Sequence, residues 1–162
     1  LACYLAVRLD DGAPALFKQT RIGRYGRPFR MYKFEAAGPQ LCRGRKDPRL
    51  TRVGRFLREH HLDELPQLWN VLRGDMAFIG PRPERRFYIE QIVRQDQRYP
   101  LLYQIRPGVT SYATLYNGYT DTPEKMLRRL ELDLYYLEHR SLFLDLKILW
   151  LTFYRIVTGH KF

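Results

Sequence analysis

The chain has 162 residues, 45% of them hydrophobic and 14% aromatic, and 28 Lys and Arg against 17 Asp and Glu leave a net charge of +11. That apolar content excludes a disordered polycation, and the length fits one domain with a modest core. Two cysteines, Cys3 and Cys42, exclude a disulfide framework, no Cys/His cluster points to zinc, and no uncharged run is long enough to span a bilayer. The cation excess predicts an anionic partner: nucleic acid, anionic lipid or a phosphorylated substrate.

Leu1 to Leu9 are apolar and aromatic, broken by Arg8, and carry no signal-peptide pattern. They read as the tail, residues 1–11, of something that begins upstream. Pro14 to Phe34 predicts a hairpin, with one strand starting at Ala15-Leu16-Phe17, the other over Phe29 to Phe34, and Gly23, Gly26 and Pro28 in the turn. In the second strand Phe29, Met31 and Lys33 share a face. Lys33 therefore either points into a covered site or snorkels to blunt a sheet edge. Gly38 to Lys46 reads as a polar loop.

Helices follow over Val53 to Glu59 and Pro66 to Leu72, then a short apolar strand, Met76 to Ile79, running into Gly80-Pro81-Arg82-Pro83. A helix is predicted over Glu84 to Gln97 and irregular strand and loop over Tyr99 to Tyr119, with a turn at Pro107-Gly108. Two helices close the chain, Pro123 to Glu138 and Leu142 to Val157. The mixed alternation argues against a doubly wound sheet. It predicts an α+β fold: a single compact domain with a small irregular antiparallel sheet or hairpin, several helices and amphipathic helices at a membrane interface.

The densest chemistry lies in Leu62-Asp63-Glu64-Leu65-Pro66-Gln67-Leu68-Trp69-Asn70. Asp63 and Glu64 sit just ahead of Pro66, a residue favoured in a first helical turn. Carboxylates there stay ionised beside the helix dipole, which suits a nucleophile or a ligand for Mg²⁺. Helix capping by Asp63 is the plain alternative. In Gly80-Pro81-Arg82-Pro83-Glu84, two prolines fix the backbone of Arg82, whose guanidinium could clamp phosphate or stand exposed on a rigid turn. Arg58 and Arg106 face phosphate or are solvated. On the helix from Pro123, Asp133 projects at the rim of an apolar face made by Leu127, Leu130, Leu134 and Leu137, where it could meet a ligand or pair with Arg129. His60 and His61 read as surface or turn residues.

The terminal helix carries Leu142, Phe143, Leu146, Leu149, Trp150, Phe153, Tyr154 and Val157 on one arc, with Asp145, Thr152 and Arg155 opposite and Lys147 at its edge. At roughly 16 residues it would run about 24 Å, short of a span. It fits a helix lying in a membrane interface or an ordinary core helix.

Taken with Phe17-Lys18-Gln19-Thr20-Arg21-Ile22-Gly23, the run Asp47 to Arg58, Leu132-Asp133-Leu134-Tyr135-Tyr136 and Asp145-Leu146-Lys147-Ile148-Leu149, these segments resemble the bacterial sugar transferases, the monotopic polyprenol-phosphate phosphoglycosyl transferases. The resemblance runs from about Gly12 to Val157. It implies transfer of a phosphosugar from a UDP-sugar donor to a polyprenyl (undecaprenyl) phosphate acceptor through a covalent aspartyl intermediate, with release of UMP. Such a step initiates a surface glycan: exopolysaccharide, capsule, lipopolysaccharide O-antigen or a glycoprotein glycan. Carried over, Asp63 would be the nucleophile, Glu64 would bind Mg²⁺, and Arg82, with Arg58 and Arg106, would bind phosphate. Lys33 and Asp133 match positions needed for activity.

The resemblance implies a catalytic domain over 12–140, with 141–162 as a membrane-interface helix of the same domain. It implies the cytoplasmic face of the bacterial inner membrane and contact with that leaflet's lipids rather than nucleic acid, and leaves a homodimer open. Three departures stand out: only the exit of a re-entrant membrane helix is matched at Leu1 to Leu9, Glu35-Ala36-Ala37 follow Phe34 where a cation and a small polar residue are usual, and Ser111-Tyr112 replace a Gly-Trp pair. The rival readings are a basic nucleic-acid-binding module and a catalytically inactive scaffold of the same fold.

Overall fold

Alternating side chains and a glycine-rich turn make the predicted hairpin. In the computed structural model, which describes residues 2–11, 15–34, 51–118, 120 and 122–158, β1 (Leu16–Ile22) pairs antiparallel with β2 (Pro28–Phe34), from Leu16 opposite Phe34 to Ile22 opposite Pro28. Tyr25 takes a left-handed conformation (φ 60°) in the 3-10 turn between them, next to Gly26 (φ 68°). The loop predicted over Gly38 to Lys46, the Glu35-Ala36-Ala37 departure, Cys42 and the first residues of the Asp47 to Arg58 run lie outside the described residues.

Ahead of the hairpin, α1 (Ala2–Asp11) forms over the apolar first residues. It packs through Cys3 and Val7 on Leu57, Val53 and Phe34. Leu57 belongs to α2 (Arg52–Glu59), whose N-cap Thr51 accepts from the Gly54 backbone N–H. A 3-10 turn, Leu62–Glu64, then leads into α3 (Gln67–Leu72).

The short strand β3 (Ala77–Ile79) pairs with β4 (Gly108–Thr110), and the pairing is parallel. The expected antiparallel hairpin is thus joined by a second two-stranded sheet that the sequence pattern did not specify. Parallel pairing needs a long crossover, which short-range sequence pattern does not announce. The two strands meet through glycine: a Cβ on Gly80 would stand 2.3 Å from the Arg106 carbonyl, and one on Gly108 would stand 2.2 Å from the Gly80 nitrogen.

Between these strands run α4 (Arg86–Gln95) and a 3-10 segment, Tyr99–Gln104. After β4 comes α5 (Tyr112–Asn117), capped by Ser111 where only strand and loop were predicted. Then come α6 (Pro123–Glu138) and α7 (Leu142–Thr158). The largest apolar cluster joins Ile22, Ile89, Ile92, Tyr99, Leu102, Leu130 and Leu134, so α4 and α6 close over the end of the hairpin. Each such side chain contributes about 1.5–3 kcal/mol on burial. Leu130 and Leu134, from the predicted apolar face of α6, are buried in this cluster, and Leu127 and Leu137 pack against it.

The last helix is turned in an instructive way. Its inward stripe is Asp145, Ile148, Thr152 and Arg155, spaced three or four residues apart. Asp145 Oδ1 accepts from the Tyr136 hydroxyl at 2.7 Å, Thr152 Oγ1 lies 2.9 Å from Thr110 Oγ1, and Arg155 Nη1 donates to the Leu115 carbonyl at 2.7 Å. Leu142, Phe143, Leu146, Trp150, Phe153 and Val157 face outward and are exposed. A core helix would bury that arc, so the core-helix reading fails for it. No helix among the described residues is long and apolar enough to cross a membrane.

Candidate active site

Asp63 and Glu64 lie in the 3-10 turn between α2 and α3. The residue heading α3 is Pro66, and no side chain caps that helix, so Asp63 is not its N-cap. The turn is reached through His61, a non-glycine residue held left-handed (φ 55°) directly before Leu62. Such strain persists only where surrounding structure holds it.

The turn faces β2. Lys33 Nζ stands 2.5 Å from Glu64 Oε1, and Arg82 Nη2 stands 3.8 Å from the same oxygen. One carboxylate oxygen thus collects two cations from two different elements. Burial opposes charge on Glu64, but Lys33 first and Arg82 second bring its carboxyl down to about 2. Of the two readings of Lys33, the one pointing into a covered site holds.

Asp63 is buried. Burial raises its carboxyl above the ordinary range, Lys33 opposes that rise, Glu64 adds to it, and Arg58 and His61 oppose it. The result is a desolvated, basic carboxylate held among cations. Arg58 Nη1 is itself buried without a hydrogen-bond partner. Arg21, Met31, Lys33, Gln67, Arg82 and Pro83 line a narrow cleft beside this pair. Arg21, Lys33 and Arg82 bring three cations to this lining, which complements phosphate.

Behind Arg82 the turn is anchored twice. The backbone N–H groups of Arg82 and Ala113 donate to the Asp133 carboxyl. Asp133 is 2% exposed, not at the rim the helical pattern suggested, because α5 and the Arg82 turn cover it. Burial pushes its carboxyl up to about 8, against the pull of Arg129, and Oδ1 has no hydrogen-bond partner. Arg129 does not spend its hydrogen bond on Asp133: its Nη1 donates to Glu84 Oε1 at 3.0 Å, while Arg21 Nη1 donates to Glu84 Oε2 at 3.3 Å and to the Pro83 carbonyl at 3.2 Å.

Among the described residues, then, Lys33, Asp63, Glu64, Arg82 and Arg58 converge, and Asp133 supports Arg82 from behind. Arg106 does not join them. Its side chain is exposed near Gly74, past the end of α3, where a Cβ on that glycine would lie 3.8 Å from Arg106 Nη2.

The model of the family described as bacterial sugar transferase matches residues 1–159. The chain belongs to the bacterial sugar transferase family. It is 39% identical over 166 residues to the UDP-N-acetylgalactosamine-undecaprenyl-phosphate N-acetylgalactosaminephosphotransferase of Aeromonas hydrophila, covering 98% of this chain and 39% of that protein. It is 40% identical over 164 residues to the UDP-glucose:undecaprenyl-phosphate glucose-1-phosphate transferase of Escherichia coli, covering 96% and 35%. A protein of the same name from Caulobacter vibrioides is 41% identical over 166 residues, covering 98% and 62%. The chain thus spans 35 to 62% of the length of these three proteins.

Several contacts that shape this site have no local sequence pattern, although Arg21, Glu84 and Asn70 themselves stand in the motifs. Arg21, Glu84 and Arg129 come from positions 45 and 63 residues apart, so no local pattern joins them. The left-handed backbone of His61, read only as a surface or turn residue, has no local signature either. Asn70 was visible at the end of the Asp63 segment, but its partners on β2 were not.

Proposed function

We propose that the protein transfers a phosphosugar from a UDP-sugar to undecaprenyl phosphate at the cytoplasmic face of the bacterial inner membrane, as the first step of a surface glycan. The observation that carries this reading is the buried Asp63 beside Lys33, Glu64, Arg82 and Arg58, in a family whose relatives are named for such transfers.

In this reading an Asp63 carboxylate oxygen attacks the phosphorus nearest the sugar. The bond from that phosphorus to the bridging oxygen breaks, and UMP leaves with the electron pair. A phosphate oxygen of undecaprenyl phosphate then attacks the same phosphorus and expels Asp63, giving the lipid diphosphosugar. Arg82 and Arg58 bind the phosphates, and Lys33 keeps Glu64 ionised and oriented. Arg106, away from the pair, is left a peripheral role in phosphate binding.

Mg²⁺ would be held by Glu64 through its other carboxylate oxygen, Oε2, since Oε1 already meets Lys33 and Arg82. Among the described residues no three acidic, His or Cys side chains are placed to hold a metal ion together, but Mg²⁺ is commonly held by one or two carboxylates with water and substrate phosphates. Bound there, the ion would neutralise diphosphate charge and ease departure of the monophosphate.

The outward apolar arc of α7 supports docking on the membrane surface, and its inward hydrogen bonds support treating residues 141–162 as part of the domain over 12–140. The test is to incubate the full protein with UDP-glucose or UDP-N-acetylgalactosamine, Mg²⁺ and undecaprenyl phosphate. UMP release is expected, and Asp63→Asn should lower it by about 10³-fold or more. Full activity in Asp63→Asn would overturn the nucleophile assignment.

A further inference from the structure

Asn70 is fully buried on α3, six residues beyond Glu64, and both Nδ2 and Oδ1 of its side chain are hydrogen-bonded. Nδ2 donates to the Arg30 carbonyl at 2.7 Å and to Asp75 Oδ2 at 3.2 Å, while Oδ1 accepts from the Tyr32 N–H at 3.2 Å. Arg30 and Tyr32 flank Met31 on β2, so one amide grips a carbonyl and an N–H two residues apart, as a neighbouring strand would. The Asn70 carbonyl also accepts the N–H groups of Asp75 and Met76, which lead into β3. Three elements therefore meet at one residue.

The next residue along β2 after Tyr32 is Lys33. Its ammonium reaches Glu64 only if β2 keeps its register and distance against the Asp63–Glu64 turn. β2 forms a two-stranded sheet with β1, and such a ribbon has little intrinsic rigidity. We propose that Asn70 is a positioning residue for the sugar transferase site: its amide locks β2 against α3 and so sets the Lys33–Glu64 pair beside Asp63. This deepens the function proposed above and rests on it for the meaning of the pair, though not for the geometry.

The direct readout is the reactivity of the Lys33 amine, measured by pulsed acetylation of the full protein and mass spectrometry. Lys125 and Lys147, both exposed and on α6 and α7, serve as internal references. The proposal predicts that Asn70→Ala and Asn70→Asp each raise labelling of Lys33 about fivefold or more, as expected for loss of about one net hydrogen bond, with the references unchanged. Asn70→Asp combined with Asp75→Asn removes the facing carboxylate pair yet still lacks a donor for Arg30, so Lys33 should stay reactive there. Unchanged Lys33 labelling in all three variants, or an equal rise at all three lysines, overturns the positioning role.

UMP release from the same samples keeps the two readings apart. Asn70→Asp should lower kcat with little change in KM for the donor, and adding Lys33→Met should cost nothing beyond Lys33→Met alone. A fully additive loss overturns the proposal. Absence of UMP release from the wild-type protein overturns the function, while the Lys33 footprint still decides the role of Asn70.

Discussion

Lys33 Nζ and Glu64 Oε1 stand 2.5 Å apart, joining a hairpin strand to a 3-10 turn across 31 residues of sequence. The pair holds Glu64 near a carboxyl value of about 2, below its ordinary 4.5. Between those two values the unfolded chain binds more protons than the folded one, so stability rises with pH there. The contribution is present above about pH 4.5 and is lost as pH falls through about 2. Lys33→Met should flatten this part of the profile and cost about 2 kcal/mol at pH 6, read from urea midpoints at pH 3 and pH 6. Arg82→Met should do less, because its contact with Glu64 is 3.8 Å.

Asp133 predicts the opposite slope. Its carboxyl is raised from 3.8 to about 8, so across that interval the folded protein holds the extra proton. Stability therefore falls as pH rises from about 4 to about 8, by at most about 1.4 kcal/mol per pH unit. Asp133→Asn keeps an acceptor for the Arg82 and Ala113 N–H groups and carries no charge. It should match the wild type at pH 4 and exceed it at pH 8.5, measured as thermal midpoints.

Glu84 is the shared anion of two half-buried arginines, Arg21 and Arg129, whose own values are lowered chiefly by burial. Glu84→Ala would leave two desolvated cations facing each other. A loss of about 3–5 kcal/mol is expected from chemical denaturation. Glu84→Gln should cost less, since its amide oxygen still accepts from one arginine.

The two sides of α7 should separate stability from membrane binding. Trp150→Ala and Phe153→Ala alter exposed side chains and should change folding stability by less than about 0.5 kcal/mol. They should weaken co-sedimentation with vesicles containing anionic lipid. Thr152→Val removes the partner of Thr110 and should cost about 1 kcal/mol in denaturation, with vesicle binding retained.

Much of this architecture is legible before folding. The hairpin announces itself through alternation and the Gly23, Gly26 and Pro28 turn, and α6 and α7 through their apolar spacing. Asp63 and Glu64 stand out because a proline and a helical pattern follow them at once. Other features depend on contacts between distant segments. Six-residue α5 is rich in weak helix formers, Tyr, Thr and Asn, and relies on the Ser111 cap and on packing against α6 and α7. Asp133 reads as a rim residue on its own helix, and only α5 and the Arg82 turn bury it. The parallel pairing of β3 with β4 depends on two glycines brought together across a whole crossover. The roles of Asn70 and Glu84 have no local signature, since their partners lie on other elements.

The central claim is that Asp63 becomes covalently bonded to the phosphosugar. It is tested most directly by incubating the full protein with Mg²⁺ and UDP-sugar in the absence of lipid phosphate, quenching in acid, and locating any added mass by mass spectrometry. The account predicts one phosphosugar on the peptide carrying Asp63, none in Asp63→Asn, and its disappearance when undecaprenyl phosphate is added before the quench. UMP release without an adduct on Asp63, or an unchanged adduct in Asp63→Asn, would contradict it.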